Sequence, residues 1–282
     1  MRLLITGAGG QLGRELQRRL AASPHEVTAL SHEQWDISQP GAADAVMSEV
    51  RPDAVLNCAA WTRVDAAESQ VEAAYSVNAT GPELLAQACA RADALLVHLS
   101  TDYVFDGEAP DAVDERTPPH PLNVYGASKL AGEEAIRAAT PKHQIVRTSW
   151  LFGQQGPNFV LAILSRARRG EPLRVVADQE GAPTWTGHLA PALIRLAERG
   201  DAGTFHLSNS GSTTWHGLAG AILEETGLDV PLAAVTTADF GAPARRPPRS
   251  ILDNRAWRML GEPPLPPWRH GLRDYLVELG VV

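Results

Sequence analysis

The stretch Thr6-Gly7-Ala8-Gly9-Gly10-Gln11-Leu12-Gly13 follows an apolar run, Arg2-Leu-Leu-Ile-Thr6, and opens an amphipathic pattern over 11–21. Its glycines at 7, 10 and 13 have the spacing GxxGxxG. Gly7 permits a tight turn, Gly10 lets backbone approach a pyrophosphate, and Gly13 allows the helix to lie close on the strand. The first N–H groups of that helix, with its dipole, then face an anion. In a strand–loop–helix context this pattern predicts a dinucleotide site.

Further strands are expected at 26–30, 53–57, 95–100 and 144–147, and helices at 11–21, 41–50 and 82–92. The strands are nearly all apolar rather than alternating, as in a parallel sheet covered on both faces. Such alternation of strand and helix implies an α/β fold with a Rossmann-type doubly wound parallel sheet over residues 1–150. After Trp150 proline and glycine become frequent and the spacing irregular. Helical patterns persist at 158–169, 188–199, 215–225 and 268–279, with loops at 243–248 and 263–267. Residues 151–282 are expected to form a smaller substrate-binding lobe, with the chain crossing back to the sheet domain.

Composition narrows the function classes. With 25 basic against 33 acidic residues the net charge is −8, which gives nucleic-acid binding no support. No apolar run approaches the roughly 20 residues of a membrane helix, and Met1 leads straight into the first strand. A cytoplasmic enzyme, monomer or homodimer, without membrane contact is expected. Two cysteines, Cys58 and Cys89, cannot build a disulfide framework or a four-ligand zinc site and read as buried fillers. The nine histidines show no metal-ligand spacing, so no metal site is expected.

Lysine is nearly absent: 23 of the 25 basic residues are arginine, leaving only Lys129 and Lys142. Lys129 closes Tyr125-Gly-Ala-Ser-Lys129, and four-residue spacing on a helix puts Tyr125 and Lys129 on one face. Upstream, Leu99-Ser100-Thr101-Asp102-Tyr103 begins at the carboxyl end of a strand, where ligands of open α/β sheets bind. These groups suit reduction of a ketone. Tyr125 can donate the proton, Lys129 can offset the tyrosinate and hold a cofactor ribose, and Thr101 can hydrogen-bond the developing oxyanion. At the end of the second strand stands Ser31, followed by His32. An acid there would select NAD, so the position favours NADPH, with NADH possible as well. Asp36, a few residues on, is a candidate for part of that role or for an adenine contact.

Together, Gly10-Gln-Leu-Gly13, Ser100-Thr-Asp-Tyr-Val-Phe-Asp-Gly107, Pro121-Leu-Asn-Val-Tyr-Gly-Ala-Ser-Lys-Leu-Ala-Gly-Glu133, Arg147-Thr-Ser-Trp-Leu-Phe-Gly153, Asp178-Gln-Glu-Gly-Ala-Pro-Thr184 and Arg245-Arg-Pro-Pro-Arg-Ser-Ile-Leu252 resemble the extended short-chain dehydrogenase/reductase family. The match is nearest to its branch acting on 4-keto nucleotide sugars. The resemblance implies NAD(P)H-dependent reduction of the C4 ketone of dTDP-4-dehydro-β-L-rhamnose. It also implies Gly10, Gln11 and Leu12 at the pyrophosphate, and Asp36 and Ile37 toward the adenine. Ala60, Trp61 and Thr62 would line the cofactor, and Thr101, Asp102 and Trp150 would meet the sugar. Arg246 and Arg249 are candidates for the nucleotide diphosphate, since guanidinium forks suit phosphate.

Two other readings stand beside this one. Another nucleotide-sugar epimerase or reductase of the same fold is possible, although Tyr103 stands where dehydratases resemble one another in carrying a second acid. A non-catalytic regulatory subunit similar to that of methionine adenosyltransferase would keep the glycine loop, but has no need of Thr101, Tyr125 and Lys129 together.

Overall fold

The computed structural model describes all residues from Met1 to Val282. Six strands form the central sheet: β1 (Arg2–Thr6), β2 (Glu26–Leu30), β3 (Ala54–Asn57), β4 (Leu95–Thr101), β5 (His143–Thr148) and β6 (Gly203–His206). The longer helices are α1 (Gln11–Leu20), α2 (Ala42–Val50), α3 (Gly81–Ala92), α4 (Val124–Ala139), α5 (Phe159–Arg168), α6 (Thr186–Arg199), α7 (Trp215–Thr226) and α8 (Trp268–Glu278). The strand order is β2-β1-β3-β4-β5-β6, and every pairing is parallel. The order reverses between β1 and β3, which opens a crevice at their carboxyl ends.

Side chains alternate across each strand, and both faces are covered. Leu3, Ile5, Leu56 and Val97 pack with Leu16 of α1 and Leu189 and Leu193 of α6. Leu4, Val55, Leu96 and Ile145 pack with Met47, Leu85, Cys89 and Ile136 from α2, α3 and α4. This two-sided burial is why the strands read as continuous apolar runs. Cys89 is core, as expected, whereas Cys58 is only half-buried because it follows β3 into the crevice.

Past Trp150 the chain builds a second apolar cluster, in which Phe152, Ile163, Trp185, Leu218, Leu272 and Tyr275 meet. The chain then crosses back: α6 packs on α1, and β6 extends the sheet beside β5. β6 escapes a sequence reading because it is four residues long, starts at a glycine and carries polar Thr204 and His206. Four further short pairings, in three small sheets, lie in the second half, including Leu173–Val176 with Leu232–Val235.

Candidate active site

The glycine loop has the geometry its spacing implies. Gly7 has φ +63°, and a Cβ there would lie 2.6 Å from the Ala59 nitrogen. A Cβ on Gly13 would strike the Gly7 carbonyl, so the helix cannot approach its strand with any larger residue. Gly10 caps α1 and no side chain occupies the helix's first N–H groups. Those donors face a crevice, which is a fit for a phosphate group.

The crevice has two adjoining parts. One, of about 760 Å³, runs from Gly7 and Gly10 past Ser31, Asp36 and Ile37 to Ala60, Trp61 and Thr62. The other, of about 450 Å³, is lined by Gln11, Leu12, Gly13, Thr101, Asp102, Tyr125, Lys129 and Trp150. Gly9, Gly10, Cys58, Ala60 and Thr62 border both. Thus the expected dinucleotide and catalytic residues meet in one continuous groove.

α4 delivers two of the catalytic candidates. Asn123 caps it, with Oδ1 accepting the Gly126 N–H at 2.8 Å, so the helix begins just before Tyr125. A Cβ on Gly126 would strike the Tyr103 carbonyl just past β4, and one on Gly132 the Asn78 carbonyl before α3, so these glycines let α4 settle against both segments. One turn separates Tyr125 from Lys129, which is buried yet reaches the groove. Lys129 Nζ donates to the Leu99 carbonyl at 2.7 Å and stands 3.1 Å from His98 Nε2. Burial pulls this lysine down to about 8, against the opposing pull of Glu133.

β4 delivers the others. It runs one residue further than its apolar pattern, so that Thr101 pairs with Thr148 and lies at the strand's mouth. The Thr101 hydroxyl donates to Asp102 Oδ1 at 3.0 Å and accepts the Tyr103 N–H at 3.2 Å. Burial raises Asp102 to about 6, only partly offset by hydrogen bonds from Ser250 and Thr101. Burial likewise pushes Tyr125 up to about 12, with Thr101 acting the other way and Asp102 adding to the rise. Tyr125 is therefore a phenol, not a phenolate, in the ligand-free groove.

At the outer wall Trp150 adopts φ +46°, with its ring against Gly181. It stacks on Trp215 at 3.6 Å and 5°, and Trp215 in turn donates Nε1–H to Gln179 at 3.2 Å. Trp215 escapes a sequence reading because nothing local marks it, and Gln179 because its block, Asp178–Thr184, carries no role legible from its own residues. Asn78 is likewise unmarked in the sequence: it clamps the loop after β3 through the Trp61 N–H and carbonyl, and donates to Ser128 Oγ on α4.

The two arginine candidates stand apart from the groove lining. Arg246 forks onto Asp65 at 3.0 and 2.9 Å and lies beside Tyr103, whose ring meets Tyr125 edge-on at 5.7 Å. Arg249 sits on a two-residue strand, 3.4 Å from Glu180. Each already has a carboxylate partner.

At the far end the turn after β2 holds a carboxylate that the position of Ser31 alone does not reveal. Residues 31–35 curl back, and Glu33 accepts the Ser31 hydroxyl at 2.6 Å on the groove's wall. Arg14 lines the same pocket, tethered to the Gly9 carbonyl at 2.9 Å. Asp36 spends its oxygens on Ser38 and Gln39, which closes its own turn.

Comparison with known proteins agrees with this geometry. The chain is 45% identical, over 97% of its length and 94% of the relative's, to a probable dTDP-4,6-dihydroxy-2-methyloxan-3-one 4-ketoreductase of Streptomyces antibioticus. It is 45% identical to the dTDP-4-dehydrorhamnose reductase of Mycobacterium tuberculosis H37Rv, covering 98% of this chain and 92% of that one. Its fold superposes with TM-score 0.96 on the crystal structure of a dTDP-4-dehydrorhamnose reductase from Bacillus anthracis in complex with NADP, at 39% identity and with 98% and 99% of the two chains covered. The family model described as the RmlD substrate binding domain matches residues 1–281, and the chain belongs to that family.

Proposed function

We propose that this protein is a dTDP-4-dehydrorhamnose reductase that uses NADPH to convert dTDP-4-dehydro-β-L-rhamnose into dTDP-β-L-rhamnose. The observation that carries the reading is the convergence of Tyr125, Lys129 and Thr101 on the groove that leads to the glycine loop. Similarity to reductases of this name supports the substrate, and a relative's complex with NADP supports the cofactor.

Gly7, Gly10, Gln11, Leu12 and Gly13 would hold the pyrophosphate; Ser31, Asp36 and Ile37 would face the adenosine; and Ala60, Trp61 and Thr62 would line the path between. A nicotinamide held there would supply the hydride for the sugar's C4. Tyr125 gives its phenolic proton to the C4 oxygen, since it is held protonated in the groove. Lys129, one turn away, offsets the tyrosinate that remains. Thr101 turns its hydroxyl from Asp102 toward the same oxygen, a donor worth about 3 kcal/mol of barrier. Asp102 and Trp150 form the sugar's walls. Arg246 and Arg249 would reach a diphosphate only by leaving Asp65 and Glu180.

A second substrate is favoured by one finding: the Streptomyces antibioticus relative bears the name of a ketoreductase for another dTDP-linked 4-keto sugar. NADPH oxidation by purified protein over a panel of dTDP- and GDP-linked 4-keto sugars tests both readings. The expected result is fastest turnover with dTDP-4-dehydro-β-L-rhamnose; preference for a different sugar selects the second reading, and no turnover with any rejects both.

A further inference from the structure

A row of polar side chains crosses the sheet under the site. Thr6 of β1 pairs in register with Asn57 of β3, and Asn57 with His98 of β4. All three are shut away from water, as is Lys129 beyond them. The hydrogens in this row can be assigned from one end. Asn57 Oδ1 accepts the Ala59 backbone N–H at 3.2 Å and the Thr6 hydroxyl at 2.6 Å. A backbone N–H can only donate, so the amide cannot be turned round. Asn57 Nδ2 must therefore be the donor toward His98 Nδ1, 2.8 Å away. The neutral ring then carries its hydrogen on Nε2, and Nε2 faces Lys129 Nζ.

We infer that Asn57 and His98 set the protonation state of Lys129 by offering Nζ an N–H instead of a lone pair. A free amine accepts that hydrogen while donating to Leu99. An ammonium has no lone pair and would meet the His98 N–H head-on. His98 cannot escape by becoming the acceptor, because Asn57 has no lone pair to give its Nδ1. Nor can it ionise, since burial and the lysine hold it far below the ordinary histidine range. The other groups facing Nζ are Glu133 and Tyr125 on α4 and Cys58 after β3. Glu133 draws a proton toward Nζ most, with Cys58 adding less, and Arg147 already occupies the Glu133 carboxylate. His98 is thus a positioning residue: it makes the site's cation a group that exchanges its proton near neutrality.

The inference rests on reading Lys129 as the site's cation, but its test needs no turnover, so its failure leaves the reductase reading intact. The chain's two lysines make selective Cε-13C labelling clean, with Lys142→Arg identifying each resonance. Long-range 15N–1H spectra of labelled histidine report each ring's tautomer, with His98→Phe removing the signal in question. In the wild type, His98 should stay protonated on Nε2 and Lys129 should titrate near 8. In Asn57→Asp the ring should switch to Nδ1–H, and Lys129 should rise by one pH unit or more. A wild-type ring protonated on Nδ1 overturns the inference without any variant. So does an unmoved lysine in Asn57→Asp, or a double variant Asn57→Asp/His98→Phe that raises Lys129 as far as the single one, since charge alone would then act.

Discussion

Arg147 on β5 grips Glu133 on α4 through two hydrogen bonds of 2.9 and 2.6 Å, with both side chains buried. Ser100 donates to the same carboxylate at 2.6 Å, so strand, strand and helix are tied together one turn past Lys129. Burial alone would raise Glu133, but the guanidinium and the hydroxyl outweigh it and hold the carboxyl below its usual range. Removing Arg147 strips the buried Glu133 carboxylate of its buried partner and leaves it only the part-exposed Arg137, 2.9 Å away. Arg147→Met should accordingly lower the unfolding free energy by about 3–5 kcal/mol. Urea titration checks this, and a loss under about 1 kcal/mol would show that the pair does not anchor the helix.

Asp102 sets a pH dependence of the opposite kind. Its folded value of about 6 exceeds the ordinary 3.8, so the native protein holds a proton that the unfolded chain has released. Stability from this group is full below about pH 4, declines up to about pH 6 and is lost above. Two units correspond to about 3 kcal/mol. Asp102→Asn should therefore be more stable than the wild type at pH 8, with the difference vanishing near pH 4. Thermal unfolding across that range tests it; a gain independent of pH would argue against a buried, ionising carboxylate.

Cofactor choice should turn on Arg14 and Glu33, which both line the wider part of the groove with Ser31. A 2′-phosphate there meets one cation and one anion. Charge-assisted hydrogen bonds are worth about 1.5–3 kcal/mol, so Arg14→Ala should cost roughly 10- to 100-fold in kcat/KM with NADPH. The value with NADH should hardly change. Glu33→Gln should improve NADPH instead. Equal losses with both cofactors in Arg14→Ala would assign the residue to the loop's structure through Gly9.

What the sequence discloses is mostly what depends on neighbours along the chain. The glycine loop lies within one turn and one helix start, and Tyr125 and Lys129 lie one helical turn apart, so spacing alone predicts their placement. The strand cores were legible because burial on both faces removes polar residues from them. The Thr6–Asn57–His98 row was not, because it exists only through the register of three strands distant in sequence. Arg147 reads as a strand-end charge until Glu133, from a helix, comes to lie on it. Gly126 and Gly132 stand in a quotable motif, but their purpose appears only once the carbonyls of Tyr103 and Asn78 press against them. Glu33 reaches the groove through a turn that hydropathy does not record.

In the proposed reaction the Tyr125 phenol delivers the proton that completes reduction of a sugar ketone. Absorbance at 340 nm, following NADPH with dTDP-4-dehydro-β-L-rhamnose, should show steady oxidation by the wild type. Tyr125→Phe should be folded, bind NADPH as before and turn over about 10²- to 10⁴-fold more slowly. Undiminished turnover in that variant would contradict the claim outright.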